Sequence, residues 1–104
     1  MSKFQEIIAQ SEVPVLVDFY ADWCGPCQMM KPVLEKVAHQ LSGQMKVLKV
    51  DVDRSPAAAQ QYGIRSIPTL MLFHKGKVLW RTAGAMREND LIKQVLPFLA
   101  EKTK

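Results

Sequence analysis

The 104-residue sequence contains only two cysteines and two histidines, which leaves few side chains for binding a transition metal. A zinc site usually needs four protein ligands, or three and a water molecule. The only cysteine and histidine candidates are Cys24, Cys27, His39 and His74. The two histidines are far apart and lack zinc-finger spacing, and polar or turn residues flank both. We therefore expect surface histidines and predict no metal site.

Long apolar runs and clusters of like charge are also missing. No stretch is long and apolar enough to cross a membrane, and polar side chains interrupt residues 1–10, unlike the apolar core of a signal peptide. The 14 Lys and Arg residues are scattered and the net charge is only +4, so we expect no nucleic-acid surface. Unless a presequence has been removed, these absences predict a cytoplasmic protein that binds neither membranes nor nucleic acids.

Hydrophobic residues make up 48% of the chain, as in globular proteins. At this length we predict a single domain over residues 1–104 that buries a core without a stabilising disulfide. A bridge between Cys24 and Cys27 would also close too short a loop to constrain the unfolded chain much. The composition therefore argues against a purely structural role for the cysteine pair.

Apolar periodicity predicts the element order α-β-α-β-α-β-β-α. The predicted strands are residues 13–20, 45–52, 69–73 and 77–83, and the first two are apolar enough to be buried on both faces. The predicted helices are residues 3–10, a helix from about Cys24 to Gly43, a short one from Ser55 to about residue 62, and a terminal one over 91–99. A right-handed βαβ crossover places helices on both faces of an α/β sheet. Pro32 should kink its helix, and Pro97 should bend the last helix or end its first half.

The two cysteines lie in the segment Trp23-Cys24-Gly25-Pro26-Cys27, where the first strand gives way to a helix. Unpaired N–H groups at the start of a helix stabilise a thiolate and lower the pKa of its thiol. We therefore predict that Cys24 is the exposed nucleophile that attacks a disulfide. Cys27, one turn further into the helix, should be more buried and should resolve the mixed disulfide. A Cys-x-x-Cys beside a βαβ pattern is typical of a dithiol–disulfide redox site.

Two charged residues interrupt the apolar strands. A buried carboxylate at Asp18 should have a raised pKa, which suits a group that exchanges a proton with Cys27. Alternatively, Asp18 lies at the open end of its strand and reaches water. Lys49 either pairs with Asp18 or extends its ammonium group to the surface.

The segments VDFYADWCGPC, KVDVD and YGIRSIPTLMLF, followed by Gly84-Ala85, resemble the thioredoxin family in order and spacing across nearly the whole chain. The resemblance implies a thioredoxin-like fold with a mixed sheet of about four strands. It also implies a cis peptide bond at Pro68, facing the cysteines, and backbone pairing of Ile67 with an extended substrate. Asp18 and Lys49 occupy the positions of the family's buried acid and neighbouring lysine, and the resemblance therefore implies that the two side chains pair. The implied docking groove consists of Trp23, Gly25, Pro26, Ile67, Pro68, Ala83 and Gly84.

The resemblance further implies a protein disulfide reductase, since Gly25-Pro26 is the pair found in reducing members. Such a protein acts as a monomer without a bound cofactor and is re-reduced by a thioredoxin reductase, most often with NADPH. The implied clients are disulfide-bearing enzymes such as ribonucleotide reductase, peroxiredoxins and methionine sulfoxide reductases. The alternative is a non-catalytic binding subunit with the same fold. The extra N-terminal strand of longer members should be absent or rudimentary, and Trp80 has no family role.

Overall fold

The computed structural model describes residues 2–100, so the two ends of the predicted domain lie outside the described part. The strands are β1 Val15–Tyr20, β2 Lys46–Asp51, β3 Thr69–His74 and β4 Lys77–Ala83. The helices are α1 Lys3–Gln10, α2 Gly25–Gln40, α3 Pro56–Gln61 and α4 Glu88–Ala100. This order and the α/β class agree with the prediction.

Local signals explain where α1 begins and where the last two strands turn. Ser2 and Gln5 form a capping box, in which each side chain accepts the other residue's backbone N–H at 3.1 Å. Lys75 and Gly76 both adopt positive φ angles, of 53° and 83°. Two successive residues with positive φ angles are typical of the tight turn that joins antiparallel strands. The strands β3 and β4, which this turn joins, pair antiparallel.

The four described strands form one mixed sheet in the order β2-β1-β3-β4. The central strand β1 runs parallel to β2 and antiparallel to β3. Val15 lies opposite Lys46 of β2 and Phe73 of β3, which fixes the register on both sides. The expected parallel crossover through α2 is therefore present.

Alternate side chains of β1 enter two separate cores. Leu16 packs in the core formed with α2 and α4, whereas Val17 and Phe19 pack in the core formed with α1 and α3. Four aromatic rings meet edge-on or tilted in the second core, with centroids 5.2–6.2 Å apart: Phe4, Phe19, Tyr62 and Phe73. Both faces of β1 are covered, which explains why the sequence of this strand is almost continuously apolar.

The prediction of a second fully buried strand is wrong. β2 lies at one edge of the sheet, and Val50 is its only buried residue. Within residues 2–100 no strand pairs with its outer side, and no strand precedes α1. Lys46 and Lys49 are exposed for this reason.

Pro32 lies inside α2 and Pro97 lies inside α4. α4 continues past Pro97 to Ala100, so this proline does not end the helix; the predicted bends at Pro32 and Pro97 stay predictions.

Trp80 of β4 packs against the core on the α2 and α4 side, and its Nε1 donates to Gln94 Oε1 of α4 at 3.2 Å. Its role is to join the hairpin to the last helix. No helix in the described part of the chain could span a bilayer.

Candidate active site

Cys24 is the residue that caps the N-terminus of α2. Its φ and ψ angles are −89° and 116°, the extended geometry of a cap, and its sulfur accepts the backbone N–H of Cys27 at 3.2 Å. Pro26 occupies the first turn, where a missing N–H removes no helical hydrogen bond. The predicted placement of a sulfur against the unpaired N–H groups of a helix start is therefore present.

Cys24 and Cys27 are joined in a disulfide, with their Cα atoms 5.2 Å apart. Both are buried, with 5% and 2% of their surfaces exposed. Cys27 is the more buried, as predicted, but the prediction of an exposed Cys24 is wrong for this disulfide form. The reason lies in the tertiary fold: Cys24 Sγ lies 3.8 Å from the carbonyl oxygen of Ile67, on a loop far along the chain.

The loop before β3 brings the second part of the site to the cysteines. The peptide bond between Ile67 and Pro68 is cis, as the family resemblance implied. The loop is tied to the neighbouring strand because Gly84 N–H donates to the Pro68 carbonyl at 2.8 Å. Ala83 pairs with Thr69 at the start of β3. The structure thus brings the predicted groove residues Ala83 and Gly84 next to the loop that contacts Cys24.

An exposed apolar surface surrounds the disulfide. The side chain of Trp23 is 72% exposed, and Gly25 and Pro26 beside it are exposed too. Sequence reasoning missed two further residues here. Met29 is 69% exposed although apolar, and its position on the polar side of an amphipathic helix was the available signal. Asp53 Oδ2 accepts the Trp23 indole N–H at 2.8 Å and so orients the ring; no sequence signal pointed to it.

Asp18 is buried, with 1% of its surface exposed. It lies on the same face of β1 as Leu16, two residues earlier, and therefore points towards the α2 side of the sheet. Among residues 2–100 its Oδ1 has no hydrogen-bond partner. Burial raises the pKa of Asp18 from 3.8 to about 6, against the opposing attraction of Lys49. Of the two predicted alternatives, the structure thus supports the buried carboxyl.

Lys49 lies directly opposite Asp18 in the parallel pair of β1 and β2. It is exposed, and its ammonium lies 5.7 Å from the centroid of the Tyr20 ring. No ion pair joins it to Asp18 within the described residues, so the expectation of a direct pair is wrong. An edge strand lets the ammonium stay hydrated, which avoids the cost of burying it. Its charge nevertheless acts on Asp18 and lowers the pKa of that carboxyl.

The predicted surface histidines agree in part with the structure. His39 is exposed, whereas His74 is half-buried and its Nε2 lies 3.3 Å from the carbonyl oxygen of Glu12. In the region spanning residues 2–100, no three His, Cys, Asp or Glu side chains are grouped closely enough to hold a metal ion.

Comparison with known proteins agrees with this geometry. The family profile described as Thioredoxin matches residues 1–96. The chain belongs to the thioredoxin family. Thioredoxin 1 of Nostoc is 50% identical over 90 residues, which cover 86% of this chain and 84% of that protein. Thioredoxin of Rickettsia conorii is 44% identical over 91 residues, covering 88% and 87%.

A solved structure has the same fold. A mutant thioredoxin of Halobacterium salinarum superimposes with a TM-score of 0.85 at 37% identity, covering 95% of this chain and 85% of that one. Family membership, together with Cys24 and Cys27 in a disulfide, makes this thioredoxin-family protein a thiol–disulfide oxidoreductase.

Proposed function

We propose that the protein is a protein disulfide reductase in which Cys24 attacks the client and Cys27 releases it. The observation that carries this proposal is the position of Cys24 Sγ. It caps α2, accepts the Cys27 N–H at 3.2 Å and lies 3.8 Å from the Ile67 carbonyl. The same N–H would stabilise a Cys24 thiolate, and a lowered thiol pKa makes more of the nucleophile present at neutral pH.

The reaction proceeds in two exchanges. The Cys24 thiolate attacks one sulfur of a client disulfide, forms a mixed disulfide and expels the other client sulfur as a thiolate. The Cys27 thiol then loses its proton and attacks Cys24 Sγ. This step closes the Cys24–Cys27 disulfide and releases the second client thiolate. Two electrons pass to the client, and the protein ends in the disulfide form that the structure contains.

Asp18 accepts the proton that Cys27 must lose. Three properties of Asp18 support this role. Its carboxyl is buried on the α2 side of the sheet, its Oδ1 has no partner within residues 2–100, and its pKa is about 6. A carboxyl with this pKa is mostly ionised at pH 7 yet still protonates readily, which suits a group that both takes and returns a proton. Lys49 acts through Asp18, since its positive charge favours the ionised carboxyl.

The client binds as an extended segment beside the disulfide. Its backbone pairs with that of Ile67 next to the cis Pro68. Its side chains lie on the exposed apolar surface of Trp23, Gly25 and Pro26 and against Ala83 and Gly84. Backbone pairing tolerates many sequences, which suits a reductase with several clients.

Family membership supports the remaining parts of the proposal. A thioredoxin reductase returns the disulfide to the dithiol, with electrons most often from NADPH. Clients of the ribonucleotide reductase, peroxiredoxin and methionine sulfoxide reductase types fit this chemistry. The protein acts in the cytoplasm as a monomer.

Insulin reduction by dithiothreitol tests the proposal. The wild-type protein should accelerate the precipitation of reduced insulin chains at catalytic concentration. The matched control is the Cys24→Ser/Cys27→Ser variant, which should give the rate of dithiothreitol alone. A wild-type rate equal to that of dithiothreitol alone would overturn the assignment of a disulfide reductase.

A further inference from the structure

We propose that the outer edge of β2 binds an extended segment of a partner protein in which apolar residues alternate with acidic ones. This site is separate from the cysteines. It consists of the outward-facing backbone edge of Val47, Lys49 and Asp51 and of the groove beside it, between α1 and α3. We call it the β2-edge groove.

The backbone orientation of β2 follows from the hydrogen bonds at its two ends. Lys46 N–H donates to the Pro14 carbonyl at 3.0 Å, and Val52 N–H donates to the Tyr20 carbonyl at 2.8 Å. Both bonds point towards β1. Because the direction alternates along a strand, the even-numbered residues of β2 pair with β1 and the odd-numbered residues point outwards.

The outward-pointing groups therefore belong to Val47, Lys49 and Asp51. Within the described residues, no strand pairs with this edge. The Asp51 carbonyl accepts the Ser55 N–H at 2.8 Å, whereas the N–H and carbonyl groups of Val47 and Lys49 have no partner in the part of the chain that the structure describes. A regular row of such groups is a template for an added strand.

The opposite edge of the sheet differs. The pairing of β4 with β3 shifts register between Leu72 and Phe73, and an irregularity of this kind twists an edge and discourages pairing. β2 pairs in unbroken register with β1 over all six of its residues. The β2 edge is therefore the better template of the two.

A cavity of about 770 Å³ runs beside this edge. Its walls come from α1, including Phe4 and Ile7, and from α3, including Ala58. Leu48 and Val50 of β2 form its apolar floor. An added strand would direct alternate side chains into this groove, and these side chains should be apolar.

The other side chains of an added strand would lie on the face of Lys49. The Lys49 ammonium forms no ion pair among residues 2–100 and is exposed. The negative charge of the Asp51 carboxylate is itself balanced in part by Arg54, whose Nε lies 3.8 Å away, and the same carboxylate accepts the N–H of Asp53 at 2.9 Å. Opposite charges across paired strands stabilise the pairing, so these side chains should be acidic.

The same lysine argues against a second copy of this chain as the occupant. In an antiparallel pair of two β2 strands, the register that pairs all three outward residues places Lys49 opposite Lys49. Like charges directly opposite each other destabilise paired strands. The charge therefore favours an acidic partner segment.

A synthetic peptide tests the proposal on the full-length protein. The probe is an acetylated and amidated peptide of alternating valine and glutamate, titrated into ¹⁵N-labelled protein and followed by NMR. We expect the amide signals of Val47, Lys49 and Asp51 to shift with a common saturation curve. Amide exchange at Val47 and Lys49 should slow. A peptide of alternating valine and lysine is the matched control and should bind about fivefold or more weakly.

Two variants locate the binding. Val47→Pro deletes an outward N–H that β1 does not use, and proline is tolerated on edge strands; it should abolish binding, whereas Val47→Thr keeps the N–H and should bind. Lys49→Glu tests the charge without introducing a proline into the strand. This variant should bind the valine–lysine peptide more tightly than the valine–glutamate peptide. Equal binding of the two peptides by the wild-type protein would overturn the proposal. So would shifts confined to the Ile67 loop, or shifts of β2 that depend on protein concentration without peptide.

Discussion

Asp18 and Lys49 lie opposite each other in neighbouring parallel strands, but their charged groups do not meet. The carboxyl is buried, and its Oδ1 has no hydrogen-bond partner among residues 2–100, while the ammonium extends over the Tyr20 ring at the sheet edge. The lysine therefore acts on the carboxyl through its field alone, and burial outweighs that field and raises the pKa of Asp18 to about 6. The ionisation of Asp18 should therefore affect both the stability of the fold and proton transfer at the cysteines, and Lys49 on the edge strand should affect that ionisation.

The first prediction concerns stability against pH. The pKa of Asp18 is 3.8 when unfolded and about 6 when folded. Between these values the folded state holds more protons, so the free energy of unfolding falls as pH rises. The loss is complete above about pH 6 and amounts to about 3 kcal/mol. Asp18→Asn should therefore be up to about 3 kcal/mol more stable than wild type at pH 8 but nearly equal at pH 4.

Urea unfolding of the oxidised proteins at a series of pH values measures this difference. The other carboxyl groups titrate in both proteins, so their contributions to the free energy of unfolding cancel in the difference. A stability difference that does not change between pH 4 and pH 8 would show that the Asp18 carboxyl is not perturbed by burial.

The second prediction concerns the rate of exchange. If Asp18 takes the proton of Cys27, Asp18→Asn should slow insulin reduction at pH 7 by about tenfold or more. The wild-type rate should rise with pH through about 6, following ionisation of the carboxyl, and the variant should lack this rise. A wild-type pH profile in the variant would make Asp18 a structural residue only.

The third prediction separates the field of Lys49 from direct contact. Lys49→Met removes a positive charge that lowers the pKa of Asp18, so the carboxyl should titrate at a higher pH. Lys49→Arg keeps the charge and is the matched control. NMR titration of the ¹³C-labelled Asp18 carboxyl measures both. A pKa in the Met variant equal to that of wild type would mean that the charge of Lys49 does not reach the carboxyl.

The sequence predicted most of the fold because the apolar periodicity of each element is strong. The edge position of β2 was missed because its apolar residues were read as a buried strand, although the charged residues Lys46, Lys49 and Asp51 among them were an available signal, since edge strands often carry charges. The burial of Cys24 was missed because its cover comes from Ile67, 43 residues away in sequence. Likewise, the direction of the Lys49 side chain depends on hydration at that edge, which spacing alone does not report.

The fourth prediction concerns Arg81 of β4, which the sequence did not single out. Its guanidinium donates to the carbonyls of Tyr62 and, at 3.0 Å, Gly63. These two carbonyls follow directly after Gln61, the last residue of α3, where the helix itself can supply no hydrogen-bond donor. The loop that carries Ile67 follows directly, so Arg81 anchors its start.

Arg81→Gln should therefore lower the free energy of unfolding by about 1–2 kcal/mol and raise the KM for insulin more than it lowers kcat. Lys77→Gln, an exposed change on the same strand, is the control and should alter neither. An Arg81 variant with wild-type stability and KM would show that the two hydrogen bonds do not hold the loop.

The fifth prediction assigns the order of the two sulfurs. Without its resolving thiol, the Cys27→Ser protein should stay attached to clients through Cys24 as a mixed disulfide. The N–H of residue 27 that stabilises the Cys24 sulfur is a backbone group, so the serine variant retains it. Cys24→Ser lacks the helix-capping sulfur and leaves only the more deeply buried Cys27, so it should capture far less. Non-reducing gels and mass spectrometry of reduced-and-released clients compare the two variants. Preferential capture by Cys24→Ser would reverse the assignment and make Cys27 the attacking residue.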